Sequence, residues 1–408
     1  MNITEAESVV GVKAGHMTHI EDLVFDLGVD GTRQAINFMR DLRDMLSIGN
    51  TSKNVVTSVK FDGAPALIAG LNPENGKFFV AKKSIFNKNP KLYYNHKDID
   101  ADTSGDLALK LRVAFDECKK LGMKGVYQGD IMFTKDMLST EDIDGVSYIT
   151  FHPNTIVYAV PIKSELGKHI QKANIGIVWH TTYTGSTIES LKPNFGQQIV
   201  HQFKNTPTSW MEDATFKDVG GVATFTMAER KFFDGKLSEI GKHFRGLPAN
   251  TVNAIHKDPD LLMLVHTYNN SKIRQGQKVK DIEAHVDGLY QFIHDRFDKE
   301  IQALKTDKSK AGRNDKRIKI LSFFSSHPRS DIVAVFKLAQ MIAEAKQILL
   351  DKLNRAGGIG TFLKTTNGFR VTAQEGFVSI SDRGAVKLVD RMEFSLANFS
   401  PEVLKGFR

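Results

Sequence analysis

Residues 55–66 read VVTSVKFDGAPA. The hydrophobic period here is two and the residues are β-branched, the pattern of a strand. The run ends at Asp62-Gly63, and Ala64-Pro65 then forces an extended exit. Further strand-like runs follow at KFFVAK (77–82), GVYQGDIMF (125–133), TIVYAVP (155–161) and IGIVWHTTY (175–183), with one clear helix among them, Lys110 to Leu121. Strands and helices do not alternate regularly, so this half is expected to be an antiparallel-rich α+β structure.

Upstream, Thr18-His-Ile-Glu21 fits a helix capping box, Gly28 is placed to stop the first helix, and Ala35, Ile36, Met39, Leu42 and Leu46 recur at helical spacing. His16 and His19 stand at i, i+3 with no third metal ligand nearby, so a helix-start role is expected for them. Beyond about Asn205 helical patterns take over. One apolar stripe runs through Ile282, Val286, Leu289, Ile293, Phe297, Ile301 and Leu304, and a second long helix is expected from about Ser330 to Leu353. Between them Lys305 to Lys319 counts seven basic residues against two acidic ones and reads as a solvated loop or frayed helix end, with a phosphate-contacting patch as the alternative. Gly357-Gly358-Ile-Gly360 reads as a helix stop and turn, and Phe369 to Arg391 (FRVTAQEGFVSISDRGAVKLVDR) as two strands around a Ser-Asp-Arg-Gly turn. The expected organisation is an N-terminal helical segment (1–50), a strand-rich core (51–204), a helical insertion (205–355) and the completion of the core (356–408).

Length and composition fit that plan. The 408 residues exceed the usual domain of roughly 100–200. A hydrophobic share of 41% and a charged share of 25% exclude a fibrous or largely disordered chain. The net charge of +8 suits a polyanionic partner. Cys118 is the only cysteine, which rules out an intrachain disulfide and a CxxC metal site and points to a reducing, cytoplasmic location. Met1 to Val10 lacks the basic and apolar regions of a signal peptide. The most apolar long segment, Asp331 to Leu350, is broken by Lys337, Gln340, Glu344, Lys346 and Gln347, so no membrane association is expected.

Several charged and aromatic residues stand out as candidate site residues. Lys60 and Asp62-Gly63 end the opening strand; Gly129-Asp130 places an acid after a glycine within a strand, where a backbone approaches a sugar closely. Glu375 opens a strand as a metal ligand or lysine orienter, and Lys387 lies on the partner strand within reach of it. Tyr158 and Trp179 are the aromatics placed to stack on a base. From Lys77 to Lys97 no acid occurs, and Lys82, Lys83, Lys88 and Lys91 interleave with Phe78, Phe79, Phe86, Tyr93 and Tyr94, as single-strand or end recognition requires.

In this order, K-x-D-G at Lys60, G-D at Asp130, an aromatic strand, E-G-F-V at Glu375 and K-L-V at Lys387, the chain resembles the covalent nucleotidyltransferase superfamily of ATP-dependent DNA and RNA ligases and mRNA-capping enzymes. The resemblance covers about 55–180 and 369–391. MTHIEDLVFDLG, KFDGAPA and AKKSIFNKNPKL are also similar to uncharacterised ligase-like proteins of large tailed bacteriophages, for which the location would be the host cytoplasm. The resemblance implies an antiparallel, ATP-grasp-like adenylation domain, ATP as substrate and Mg²⁺, or Mn²⁺ in its place, as cofactor.

It further implies that Lys60 attacks the α-phosphorus to form lysyl-AMP, that AMP passes to a nucleic-acid 5′-phosphate, and that a 3′-hydroxyl displaces it. By analogy Lys387 contacts the α-phosphate and assists catalysis. Asp62, Gly63, Asp130, Glu375, Lys82 and Trp179 bind the nucleotide, Glu375 and Asp130 hold the metal, and Lys83, Lys88 and Lys91 meet nucleic acid. An amine is nucleophilic only when unprotonated, a state that neighbouring cations favour. The chain departs from the family pattern at Pro65, where many ligases carry arginine and for which Lys82 or Lys83 is the stand-in, at Asp130 in place of glutamate, and at Val389 in place of a second lysine. The residues after Arg391 are too few for the barrel that DNA ligases usually add, which favours RNA. The alternatives are a nucleic-acid-binding protein with altered catalysis and a transferase acting on a protein or an RNA cap.

Overall fold

A computed structural model describes residues 17–47, 55–216, 223–356, 359–381 and 384–406. Met1 to Val10, His16, Gly357-Gly358 and the turn residues Asp382 and Arg383 lie outside the described residues. Helices and mainly antiparallel sheets are both extensive, as an α+β class requires.

Three sheets organise the chain. The first is four-stranded, in the order β1 (Thr18–His19), β15 (Gly384–Leu388), β14 (Gly376–Ser381), β2 (Val55–Lys60). β2 runs antiparallel to β14 with Lys60 opposite Gly376, and β14 runs antiparallel to β15 with Val378 opposite Lys387. The second sheet has the order β10 (Lys192–Phe195), β9 (Ile175–Thr184), β5 (Val126–Thr134), β3 (Ala66–Leu71), β4 (Phe78–Ala81), and β11 (Ser209–Asp213) joins β9 in parallel. The third runs β13 (Gly368–Val371), β12 (Gly360–Thr365), β8 (Ile156–Pro161), β7 (Val146–Phe151), β6 (Ser139–Ile143).

Strand β1 replaces the expected capping box. Thr18 and His19 pair in parallel with Val386 and Lys387, and helix begins only at α1 (Leu23–Asp26), followed across Gly28 by α2 (Gly28–Met45). Gly28 has φ +57°, and a Cβ there would stand 2.2 Å from Asn253 Oδ1, which accepts from the Val29 N–H and so caps α2 from another helix. Two helices, α3 (His96–Asp102) and α4 (Gly105–Cys118), lie with the second sheet, and α5 (Glu165–Lys172) precedes β9.

The helical block comprises α6 (Met227–Arg245), α7 (Ala249–Lys257), α8 (Pro259–Arg274), α9 (Ile282–Ala303), α10 (Asp307–Ser326) and α11 (Arg329–Leu353). Val286, Leu289, Ile293 and Phe297 are the buried stripe of α9, as their spacing predicts. The basic run 305–319 is not a loop: it forms most of α10, where Arg313 pairs with Glu300, Lys316 with Asp260 at 2.6 Å and Arg317 with Asp298. Acids on neighbouring helices turn its charge from a helix breaker into a tether.

One apolar core joins this block to the N-terminal helices, through Phe38, Met39, Phe233, Leu289, Ile342 and Leu349, and reaches Phe377, Val386 and Leu388 on the first sheet. Helices therefore cover one face of that sheet. Ser58, Val378 and Lys387, which alternate with the buried positions, face the other way. Strand β11 carries the strand-rich part past the expected boundary at residue 204, and the helical block shares its core with segment 17–47 instead of standing alone. A buried ionic cluster fastens the same junction: Lys346 donates to Glu21 at 2.7 Å, and Arg391, at the start of α12 (Arg391–Phe399), donates to Asp22 at 2.9 Å. No described helix is long and apolar enough to cross a membrane.

Candidate active site

Lys60 is the last residue of β2, and the register that sets it opposite Gly376 also brings Glu375 to its ammonium group. Lys60 Nζ donates to Glu375 Oε1. Gly376 makes this approach feasible. Its φ is +153°, and a Cβ there would lie 2.6 Å from the Leu388 carbonyl of β15. The Glu-Gly order thus has a backbone reason: the glycine slides under the neighbouring strand, and the acid before it emerges beside Lys60.

The turn after Lys60 is pinned by Asp62. Its carboxylate accepts from Asn154 Nδ2 at 2.8 Å, Thr155 N–H at 2.7 Å and Ile156 N–H at 2.9 Å, while its own N–H donates to the Tyr158 hydroxyl at 2.7 Å. Asp62 is therefore not free to bind a nucleotide; it locks the turn to the start of β8. Gly63 sits against β5, where a Cβ would meet Asp130 Cβ at 2.6 Å, and the Ala64 N–H donates to the Ile131 carbonyl at 2.9 Å. Glycine here acts as a spacer and brings Lys60 close to Asp130.

Burial dominates the electrostatics. It pushes the Asp130 carboxyl up to about 7 in spite of Lys60 and Lys83, with Asp62 adding to the rise. Burial likewise raises Glu375 to about 7 against the pull of Lys60, helped by Asp62 and Asp130. Lys387 is lowered by burial and by Lys60, with Glu375 opposing. Lys60, Glu375, Lys387 and Asp130 thus form one interacting group drawn from three strands and the residue that opens β14.

His180 belongs to it as well and was missed in the sequence. Its Nε2 stands 3.6 Å from Asp130 Oδ2 and its Nδ1 2.7 Å from Thr181 Oγ1; burial, then Lys83 and Lys60, lower it to about 4. The strand period held the signal. In IGIVWHTTY, an inward Trp179 forces its neighbour His180 onto the opposite face. Trp179 is fully buried, its Nε1 donating to Met211 Sδ, and Tyr158 is fully buried too, so neither is a base-stacking platform. The aromatic left exposed near the site's lysines is Phe86, against Tyr183, while Phe79 is core.

The basic run divides in two. Lys82, at 3.1 Å, Lys91 and the Tyr93 hydroxyl converge on Asp102 of α3, so Lys82 and Lys91 are spent on a structural clamp. The acid came from beyond the run, where a scan for one-sign charge does not look. Lys83 opens the short 3₁₀ turn Lys83–Phe86 and acts on Asp130 and His180, and Lys88 is exposed.

Among the described residues no group of three or more histidine, cysteine or acidic side chains is arranged to hold a metal. Two desolvated carboxylates, Asp130 and Glu375, nevertheless suit a Mg²⁺ ion that draws its remaining ligands from phosphate and water. Behind Glu375 a small crevice is walled by Thr155, Gln374, Asn398 and, from the end of α11, Leu350 and Asn354, so the helical block reaches the back of the site.

A model of a family of unknown function (DUF6267) matches residues 14–403, and the chain belongs to that family. No curated protein and no solved structure matches the chain.

Proposed function

We propose that the chain is an ATP-dependent polynucleotide ligase of the covalent nucleotidyltransferase type, acting on RNA ends in preference to DNA in the cytoplasm, with its first two sheets forming the adenylation fold. One observation carries the reading: Lys60 of the K-x-D-G turn donates to Glu375 of E-G-F-V, 315 residues away, with Asp130 and Lys387 in the same electrostatic group. Chance matches of short strings have no reason to converge on one cluster.

The chemistry follows from the pair. The Lys60 proton passes to Glu375, whose raised carboxyl accepts it near neutrality. The free amine attacks the α-phosphorus of ATP, the N–P bond forms, and the bond to the β-phosphate oxygen breaks to release pyrophosphate. A 5′-phosphate oxygen then displaces Lys60 from AMP, and a 3′-hydroxyl displaces AMP. Lys387 and Lys83 supply positive charge to the phosphates. Mg²⁺ would supply charge neutralisation for the triphosphate and the leaving group, and Asp130 would hold it, with Glu375 joining once it has given up the Lys60 proton. Lys88 and Phe86 are the exposed cation and ring best placed to meet a nucleic-acid strand.

The test is direct. Incubate the protein with α-labelled ATP or GTP and Mg²⁺, then denature it. Acid-labile label on the wild type and none on Lys60→Ala supports the proposal, and absence of label from both refutes it in favour of a binding protein. Nick-sealing assays on RNA, DNA and hybrid ends then identify the acceptor, and label that never leaves for any polynucleotide points to a protein or cap acceptor.

A further inference from the structure

We propose that His180 Nε2 and Asp130 Oδ2 together bind a divalent ion of the Mn²⁺ type that enters with the nucleotide phosphates; the phosphate part rests on the function proposed above. The two atoms face each other at 3.6 Å, too far for a hydrogen bond between them. Donor atoms that share one ion at about 2.1–2.2 Å stand roughly 3.0–3.6 Å apart, so an ion fits between these two with at most a small torsional adjustment.

The other imidazole nitrogen is already in use. Nδ1 is 2.7 Å from Thr181 Oγ1, and in the tautomer that donates the Nδ1 proton to that hydroxyl, Nε2, 3.6 Å from Asp130 Oδ2, keeps a free lone pair. A hydrogen bond at the second ring nitrogen fixes the tautomer and orientation of a metal-binding histidine, and here the Thr181 hydroxyl takes the place more often held by a carboxylate, carbonyl or water. Thr181 is itself buried at 1% exposure, so the support is rigid.

The ligand count selects the ion. Two protein donors leave most positions to phosphate oxygens and water, an oxygen-rich set that suits Mn²⁺ better than Zn²⁺. The single nitrogen favours Mn²⁺ over Mg²⁺, which sheds water reluctantly. Lys60 and Lys83 face the same pair and repel a bare cation. Ion and polyanion should therefore bind cooperatively, each raising the affinity for the other by the same factor.

The experiment uses the intact chain, MnCl₂ and α,β-methylene-ATP, which blocks turnover. The free Mn²⁺ signal in electron paramagnetic resonance gives affinity, and spin-echo modulation reports ¹⁴N directly bonded to the ion. Expected results are ¹⁴N modulation in the wild type, its loss in His180→Gln with at least about a tenfold weaker affinity, and a few-fold weaker affinity with modulation retained in Thr181→Val. Affinity should also be weaker without the nucleotide. Absence of ¹⁴N modulation in the wild type, or its persistence in a folded His180→Gln chain, overturns the proposal. Should His180→Gln fail to fold, Asp130→Asn decides, since equal Mn²⁺ affinity in that variant also overturns it. The two proposals fail separately: labelling of Lys60 without ¹⁴N modulation removes only the metal pair, and modulation without labelling removes only the transferase.

Discussion

Two lysine–glutamate pairs span the length of the chain, and they behave in opposite ways. Lys346 with Glu21 lies at the junction of the helical block, and Lys60 with Glu375 lies in the cleft. Burial acts against the anion in both. At Glu21 the cations Lys346 and Arg391, together with His19, more than reverse it and hold the carboxyl down at about 2. At Glu375 Lys60 opposes burial while Asp62 and Asp130 push the same way as burial, and the carboxyl rises to about 7. The balance of neighbouring charge therefore decides whether the carboxyl of such a pair stays ionised or takes a proton near neutrality.

The comparison can be broken most decisively at Lys60. Lys60→Ala should abolish covalent label on the denatured protein, while Lys346→Met, in whatever fraction remains folded, should keep it. Stability should show the reverse order. Lys346→Met leaves buried Glu21 the longer 3.6 Å contact with Arg391 and should cost up to about 3–5 kcal/mol in chemical denaturation, with Glu21→Leu added to it restoring much of the loss. Lys60→Met should cost far less, because Glu375 is then neutral at pH 7.

The pH dependence separates the pairs more finely. The Glu375 carboxyl is raised in the folded chain from 4.5 to about 7, so its stabilising contribution is full below pH 4.5 and disappears as pH climbs through 7. Glu21 is lowered from 4.5 to about 2, so its contribution is full above pH 4.5 and disappears as pH falls toward 2. Glu375→Gln should therefore remove on the order of 2–3 kcal/mol of the stability change between pH 4.5 and 7, leaving a slope from Asp130, and should leave the acid limb untouched. An unchanged neutral slope in urea melts would place Glu375 outside the coupled group. The smallest effect belongs to Lys88→Ala, which should weaken nucleic-acid binding about uniformly across sequences and lower its salt slope by about 1.

Much of this was legible in the sequence wherever short-range patterns carry the information. The β2 run, the hairpin after Glu375 and the α9 stripe all follow from hydrophobic period. What the sequence concealed was competition among long-range partners. Lys82 and Lys83 are neighbours of the same type, yet Asp102 claims the first and leaves the second for the site. Asp62 has the chemistry of a ligand-binding acid, but two backbone donors of the β8 approach consume it. Thr18 to Glu21 has every local feature of a helix start, and the open edge of β15 draws it into a strand. The basic segment of α10 read as a loop because its compensating acids lie on other helices.

The pairing of β2 with β14 also bears on how the protein is made. Residues 55–60 leave the ribosome some three hundred residues before their partner strand, an interval of roughly 15–60 s at 5–20 residues per second. Until then the β2 edge that takes β14 has no partner, whereas its opposite edge can be met earlier by residues 214–216, whose backbone bonds Thr57 and Val59. A prematurely terminated chain would hold Lys60 without Glu375 or Lys387, so under the proposed function an interrupted translation product is disarmed by topology alone.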